Sequence, residues 1–127
     1  MESKKWKSLI MRNCKSVGTM QPAFKSVIET LADILEQRDK VWEQFVSEGA
    51  QVIIERVSDR GAVNSAKNPL FVTWMDLNTQ ALSYWRDLGL TPKGLKAIND
   101  LMVKDAKKDP LVEALRKISG DGDGKVL

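Results

Sequence analysis

A chain of 127 residues, 43% hydrophobic and 29% charged, has the composition of one ordinary globular domain with a modest core. The absence of histidine removes the commonest general base, histidine-bearing serine triads and histidine-dependent zinc sites, and the single cysteine, Cys14, excludes an internal disulfide framework. No apolar run could span a bilayer and no hydrophobic signal segment stands out, so a cytoplasmic protein that is not an enzyme, with no catalytic residues, metal or cofactor, is expected.

The formal net charge of +3 is small but unevenly spread. Residues 1–18 carry Lys4, Lys5, Lys7, Arg12 and Lys15 against Glu2 alone. Residues 20–50 are net acidic, with six carboxylates against Lys25, Arg38 and Lys40, and residues 91–118 are basic again. Basic ends suit phosphate binding, and an acidic centre suits contact with a protein neighbour. Alternating charges that merely solvate helices account for the same pattern.

Residues 3–17 have the spacing of an amphipathic helix, with Trp6, Leu9, Ile10, Cys14 and Val17 on one side. Its lysines and Arg12 lie mostly elsewhere, free to meet a polyanion or simply water. Cys14 falls on the apolar side and reads as an inert buried thiol. Gly18 ends the helix.

A second helix is expected over 21–48, preceded by Thr19 or Gln21 with Pro22 and stopped at Gly49. Its stripe is Phe24, Ile28, Leu31, Leu35, Trp42 and Phe45. A helix of this size is about 40 Å long and needs a long partner. The run Glu36-Gln37-Arg38-Asp39-Lys40 reads as the solvated side. Within it, Glu36 and Lys40 form an i,i+4 pair worth a few tenths of a kcal/mol, roughly.

From Gln51 to Val57 the period changes. Val52, Ile53, Ile54 and Val57 are β-branched, and Glu55 and Arg56 interrupt them as in a partly exposed strand. Ser58 to Gly61 reads as a turn, and Ala62 to Ser65 as a short return arm. Two strands alone are marginal in water. The ribbon must therefore lie on the helices or meet another subunit, and its free edge favours the subunit.

Asn68-Pro69 then opens a helix over 69–88, the asparagine as cap and the proline at the first helical position. Leu70, Trp74, Leu77, Ala81, Tyr84 and Leu88 make its apolar face, widened by Trp85. Gly89 ends it, and Thr91-Pro92 opens a basic helix over 92–108 with Leu95, Ile98, Leu101 and Met102 on one side. Lys93 sits in the first turn, where a bound phosphate would satisfy it, although an exposed lysine carrying a small penalty is simpler. Pro110 should break the helix, 111–118 add two turns, and the Gly/Asp-rich 119–127 stay disordered. Asp121 to Lys125 has a lysine at the fifth loop position and is no calcium site.

The segments EQRDKVWEQFVSEG, RGAVNSAKNPL and ALSYWRDLGLTP, between Glu36 and Pro92, together resemble the small subunits of tailed-phage terminases. The resemblance runs over roughly Lys4 to Ile98. It implies a helical homo-oligomer, a ring in the host cytoplasm, that binds double-stranded viral DNA and regulates the large terminase subunit, which holds the ATPase and nuclease. Under it, Lys4, Lys5, Lys7, Arg12 and Lys15 become the candidate DNA contacts, with Lys93 and Lys96 second. Trp42, Phe45, Ile54, Trp74 and Trp85 become candidates for contacts between copies. The competing expectation is a helical scaffold or adaptor that binds a protein and never touches nucleic acid. The fold expected is mainly α: an antiparallel hairpin of two long helices, a small β-ribbon between them, and short flanking basic helices, in one domain over 1–118.

Overall fold

A computed structural model describes residues 1–108, with side chains to Lys104. The expected break at Pro110, the turns at 111–118, the tail at 119–127 and the side chains of Lys107 and Lys108 lie outside the described residues. Helix α1 spans Ser3–Val17, α2 Lys25–Ser47, α3 Pro69–Asp87 and α4 Pro92–Lys108. Between α2 and α3, strands β1 (Ile53–Val57) and β2 (Val63–Lys67) pair antiparallel. The fold is mainly helical, as the sequence spacing predicts.

Local chemistry sets most of the boundaries. Gly18 takes φ 79°, and the next amide, of Thr19, donates back to the Cys14 carbonyl, closing α1. α2 begins at Lys25 rather than at 21, because Pro22–Phe24 forms a 3-10 turn ahead of it. At α3, the Asn68 side-chain oxygen accepts from the Leu70 amide at 3.0 Å, so the cap and Pro69 together satisfy the first turn. The same Asn68 donates its side-chain amide to the Gln51 carbonyl at 2.9 Å, which fastens the ribbon to the helix start. Thr91 repeats the cap on α4, its hydroxyl accepting from the Gly94 amide at 3.0 Å.

The helix pairing is read from cross-contacts. Phe45 meets Phe71, Trp42 meets Trp74 and Arg38 meets Asn78, so residue numbers rise on α2 as they fall on α3. The two helices are antiparallel. Likewise Ser3 bonds Asp33 and Lys7 bonds Glu29, which sets α1 antiparallel to the first half of α2. The core lies where all three meet: Ile10 and Cys14 from α1, Ile28, Leu31, Ala32 and Leu35 from α2, and Ala81 and Leu88 at the end of α3. Burying each of the larger of these side chains stabilises the fold by about 1.5–3 kcal/mol. Thr19, also buried, donates its hydroxyl to the Leu88 carbonyl at 2.7 Å and so satisfies the end of α3.

The joint between α3 and α4 is tight. Gly89 has φ 73°, and a Cβ there would press on Ile98 and Thr19 at 2.9 Å. A Cβ at Gly94 would collide with the Arg86 carbonyl. No helix among the described residues is long and apolar enough to cross a membrane.

Candidate nucleic-acid interface

α1 is divided cleanly by its neighbours. Ile10 and Cys14 are buried and Trp6 and Leu9 half-buried, while Lys4, Lys5, Ser8, Arg12 and Lys15 are exposed. Lys4, Ser8, Arg12 and Lys15 follow one another at helical spacing, a ridge about 16 Å long. A shallow concavity of about 530 Å³ runs beside it, lined by Lys4, Lys5, Ser8, Leu9 and Arg12 with the first two residues. A second, of about 380 Å³, is lined by Ser8, Met11, Arg12 and Lys15. Cations and a hydroxyl spaced along such a ridge suit an extended polyanion, and no base-reading geometry is needed for that.

Lys7 stands apart from this group. Its ammonium lies 2.8 Å from the Glu29 carboxylate, and the bond holds that carboxyl below its ordinary range. Its charge is spent in fastening α1 to α2. The same junction holds a second tie that sequence spacing does not reveal. Asp39 accepts from the Trp6 indole at 2.7 Å, the Met1 amine at 3.0 Å and the Arg38 guanidinium at 3.1 Å. Burial alone would raise the Asp39 carboxyl, but these donors outweigh it and hold it below the usual value. Arg38 also lies over the Trp6 ring, 5.3 Å from its centroid, and donates to Asn78 on α3 at 3.3 Å. Thus Arg38 and Asp39 are half-buried between three helices, not on a solvated side. The signal was present: 31, 35, 38 and 42 continue one helical stripe.

The second basic segment comes close to the first. A groove of about 530 Å³ has Asn13, Ser16 and Val17 of α1 on one wall and Trp85, Pro92 and Leu95 on the other. The start of α4, with exposed Lys93 and Lys96 and no acid in its first turn, therefore borders the end of α1 that carries Lys15. Segments nearly eighty residues apart in sequence, roughly, contribute to one basic end of the molecule. Cys14 stays buried, and burial pushes its thiol up, although a hydrogen bond with Thr19 opposes the shift.

A family model described as "Phage terminase, small subunit" matches residues 3–103. The chain belongs to that family. The matched span takes in α1, the hairpin, the ribbon and most of α4, so it covers both basic segments of the terminase small subunit. Family membership ties the protein to phage genome packaging in the infected cell. No curated protein and no solved structure matches the chain significantly.

The residues considered for contacts between copies fall into two groups. Phe45, only 3% exposed, and Trp85, packed on the core, are committed within the subunit. Trp42 remains 40% exposed, and Trp74 and Ile54 are half-buried. Among the described residues, no group of three or more carboxylates and thiols is placed to hold a metal ion.

Proposed function

We propose that this terminase small subunit is a non-catalytic, oligomeric DNA-binding protein that recognises viral DNA and presents it to the large subunit, whose activity it regulates. The observation that carries this reading is the α1 ridge. Its apolar side is held in the bundle, and Lys4, Lys5, Arg12 and Lys15 are left pointing to solvent with no carboxylate partner among the described residues. Lys93 and Lys96 extend the surface; Lys7 contributes to it only through the position of α1. Each subunit supplies a few phosphate contacts, and joining copies multiplies them without any new chemistry. The acidic second helix is the surface best suited to a protein neighbour, the large subunit included.

The test is the salt dependence of duplex binding. Changing Lys4, Lys5, Arg12 and Lys15 to glutamine should lower the log–log slope by about 0.9 for each phosphate that is no longer neutralised. K7Q should act differently, loosening α1 with little change in slope per bound subunit. A quadruple variant that keeps the parent slope removes α1 from the DNA surface. A parent protein that ignores duplexes in dilute buffer favours the scaffold reading instead.

A further inference from the structure

We infer that the β-ribbon of one copy seats in the uncovered part of the α2–α3 groove of a second copy, a head-to-tail contact. This rests on the proposed reading that the subunit assembles, and it specifies the surfaces.

The groove follows from where α1 stops. α1 fills the groove between α2 and α3 only as far as the Trp6–Arg38–Asn78 junction, and the first residues of the chain are tied to Asp33 and Asp39. One turn further along α2 is Trp42, and one turn beyond that Val46. One turn before Asn78 on α3 is Met75. These residues continue the same two helix sides past the end of α1. Trp42 stacks on Trp74 with centroids 4.6 Å apart, which floors the groove, while Val46 and Met75 are each 51% exposed along it.

The ribbon offers the matching part. Its register puts Ile53, Glu55 and Val57 on one face with Val63, Ser65 and Lys67. Ile54 and Ala66, on the opposite face, are half-buried, whereas Ile53, Val57 and Val63 are 63%, 70% and 60% exposed. The ribbon cannot fold back into its own groove, because Asn68 pins its base to the start of α3 through the Gln51 and Val52 carbonyls.

Charge selects between the possible pairings. Glu43, Glu48 and Asp76 rim the groove, exposed and in no ion pair among the described residues. Arg56, Arg60 and Lys67 are exposed on the ribbon. A ribbon-to-ribbon contact would set like charges together and leave the groove bare. A ribbon-to-groove contact covers both apolar surfaces and opposes unlike charges. Being heterologous, it leaves each copy one free ribbon or one free groove until the chain of contacts closes into a ring.

Light scattering on size-separated protein, with mixing of variants, tests this. The parent should run as a multiple of the 14.3 kDa chain. The ribbon variant V57D/V63D and the groove variant V46D/M75D should each fall to a single chain. Mixed one to one, they should form a two-chain species and nothing larger, because one intact ribbon meets one intact groove. If V46D/M75D loses its helical circular dichroism, E43K/E48K at exposed groove positions replaces it. A groove variant that still assembles alone, or a folded pair that stays single-chain on mixing, overturns the contact. Variants that all keep the parent mass and duplex binding overturn it while leaving the packaging role standing. A parent that is single-chain and also ignores duplexes ends the packaging proposal itself.

Discussion

The two ends of the α2–α3 hairpin are built from similar apolar side chains, yet one is closed and the other open. At the closed end, α1 lies over Ile28, Leu31 and Leu35, and Thr19 and Gly89 seal the approach to α4. At the open end, Trp42, Phe45, Phe71 and Trp74 pack ring on ring, with centroids 4.6–5.9 Å apart, and only Phe45 is fully covered. The difference comes from length. α1 has 15 residues and α2 has 23, so at about 1.5 Å per residue α1 must leave a good part of its partner bare. Stability is concentrated where three helices meet, and surface for other molecules is left where only two do.

That contrast can be broken most directly in the core. Leu35→Ala should cost about 2–5 kcal/mol, measured by urea unfolding, because it leaves a cavity walled by three helices. A loss under ~1 kcal/mol would mean that the closed end is less tightly packed than its burial implies. Gly94→Ala should come next, at about 1–3 kcal/mol, since the added methyl must push α4 off the Arg86 carbonyl.

The third prediction concerns the tie at the boundary between the two ends. Asp39→Asn should cost about 1 kcal/mol near neutral pH, as a charged acceptor of several hydrogen bonds is removed from a partly exposed site. The folded carboxyl lies below its ordinary value of 3.8, so its contribution is present above that value and disappears as pH falls through the lower, folded one. Parent and variant should therefore converge in stability in strong acid. Parallel pH profiles would remove Asp39 as a tie.

The smallest effect is expected on the ribbon. Val57→Thr, at a site 70% exposed, should change the unfolding free energy of the separated subunit by less than ~0.5 kcal/mol. If it destabilises a single chain as much as a core change does, the ribbon belongs to the closed, folded unit and the contrast fails.

Most helix signals act over a few residues, and they are legible. Asn68-Pro69 and Thr91-Pro92 cap α3 and α4 with the side-chain oxygens expected of them, and Gly18 and Gly89 take the left-handed conformation. The apolar stripes of α1 and α3 also supply most of their packed residues. The candidate site is legible in part. The exposed ridge on α1 follows from helical spacing, but the diversion of Lys7 to Glu29 does not, because that partner lies on another helix. The return strand is expected at 62–65 and runs over Val63–Lys67, since register is decided by pairing and by the fastening at Asn68.

By itself the sequence determined which stretches are helix or strand, where helices start, and which side of each is apolar, because caps, glycines and periodicity are local properties. Tertiary structure alone decided that Arg38 and Asp39 join three helices, that Thr19 closes α3, and that Trp42 stays at the surface while Phe45 does not. A side chain's exposure depends on what lies across from it. On α2 that is set by how far α1 reaches, a distance that no residue of α2 encodes.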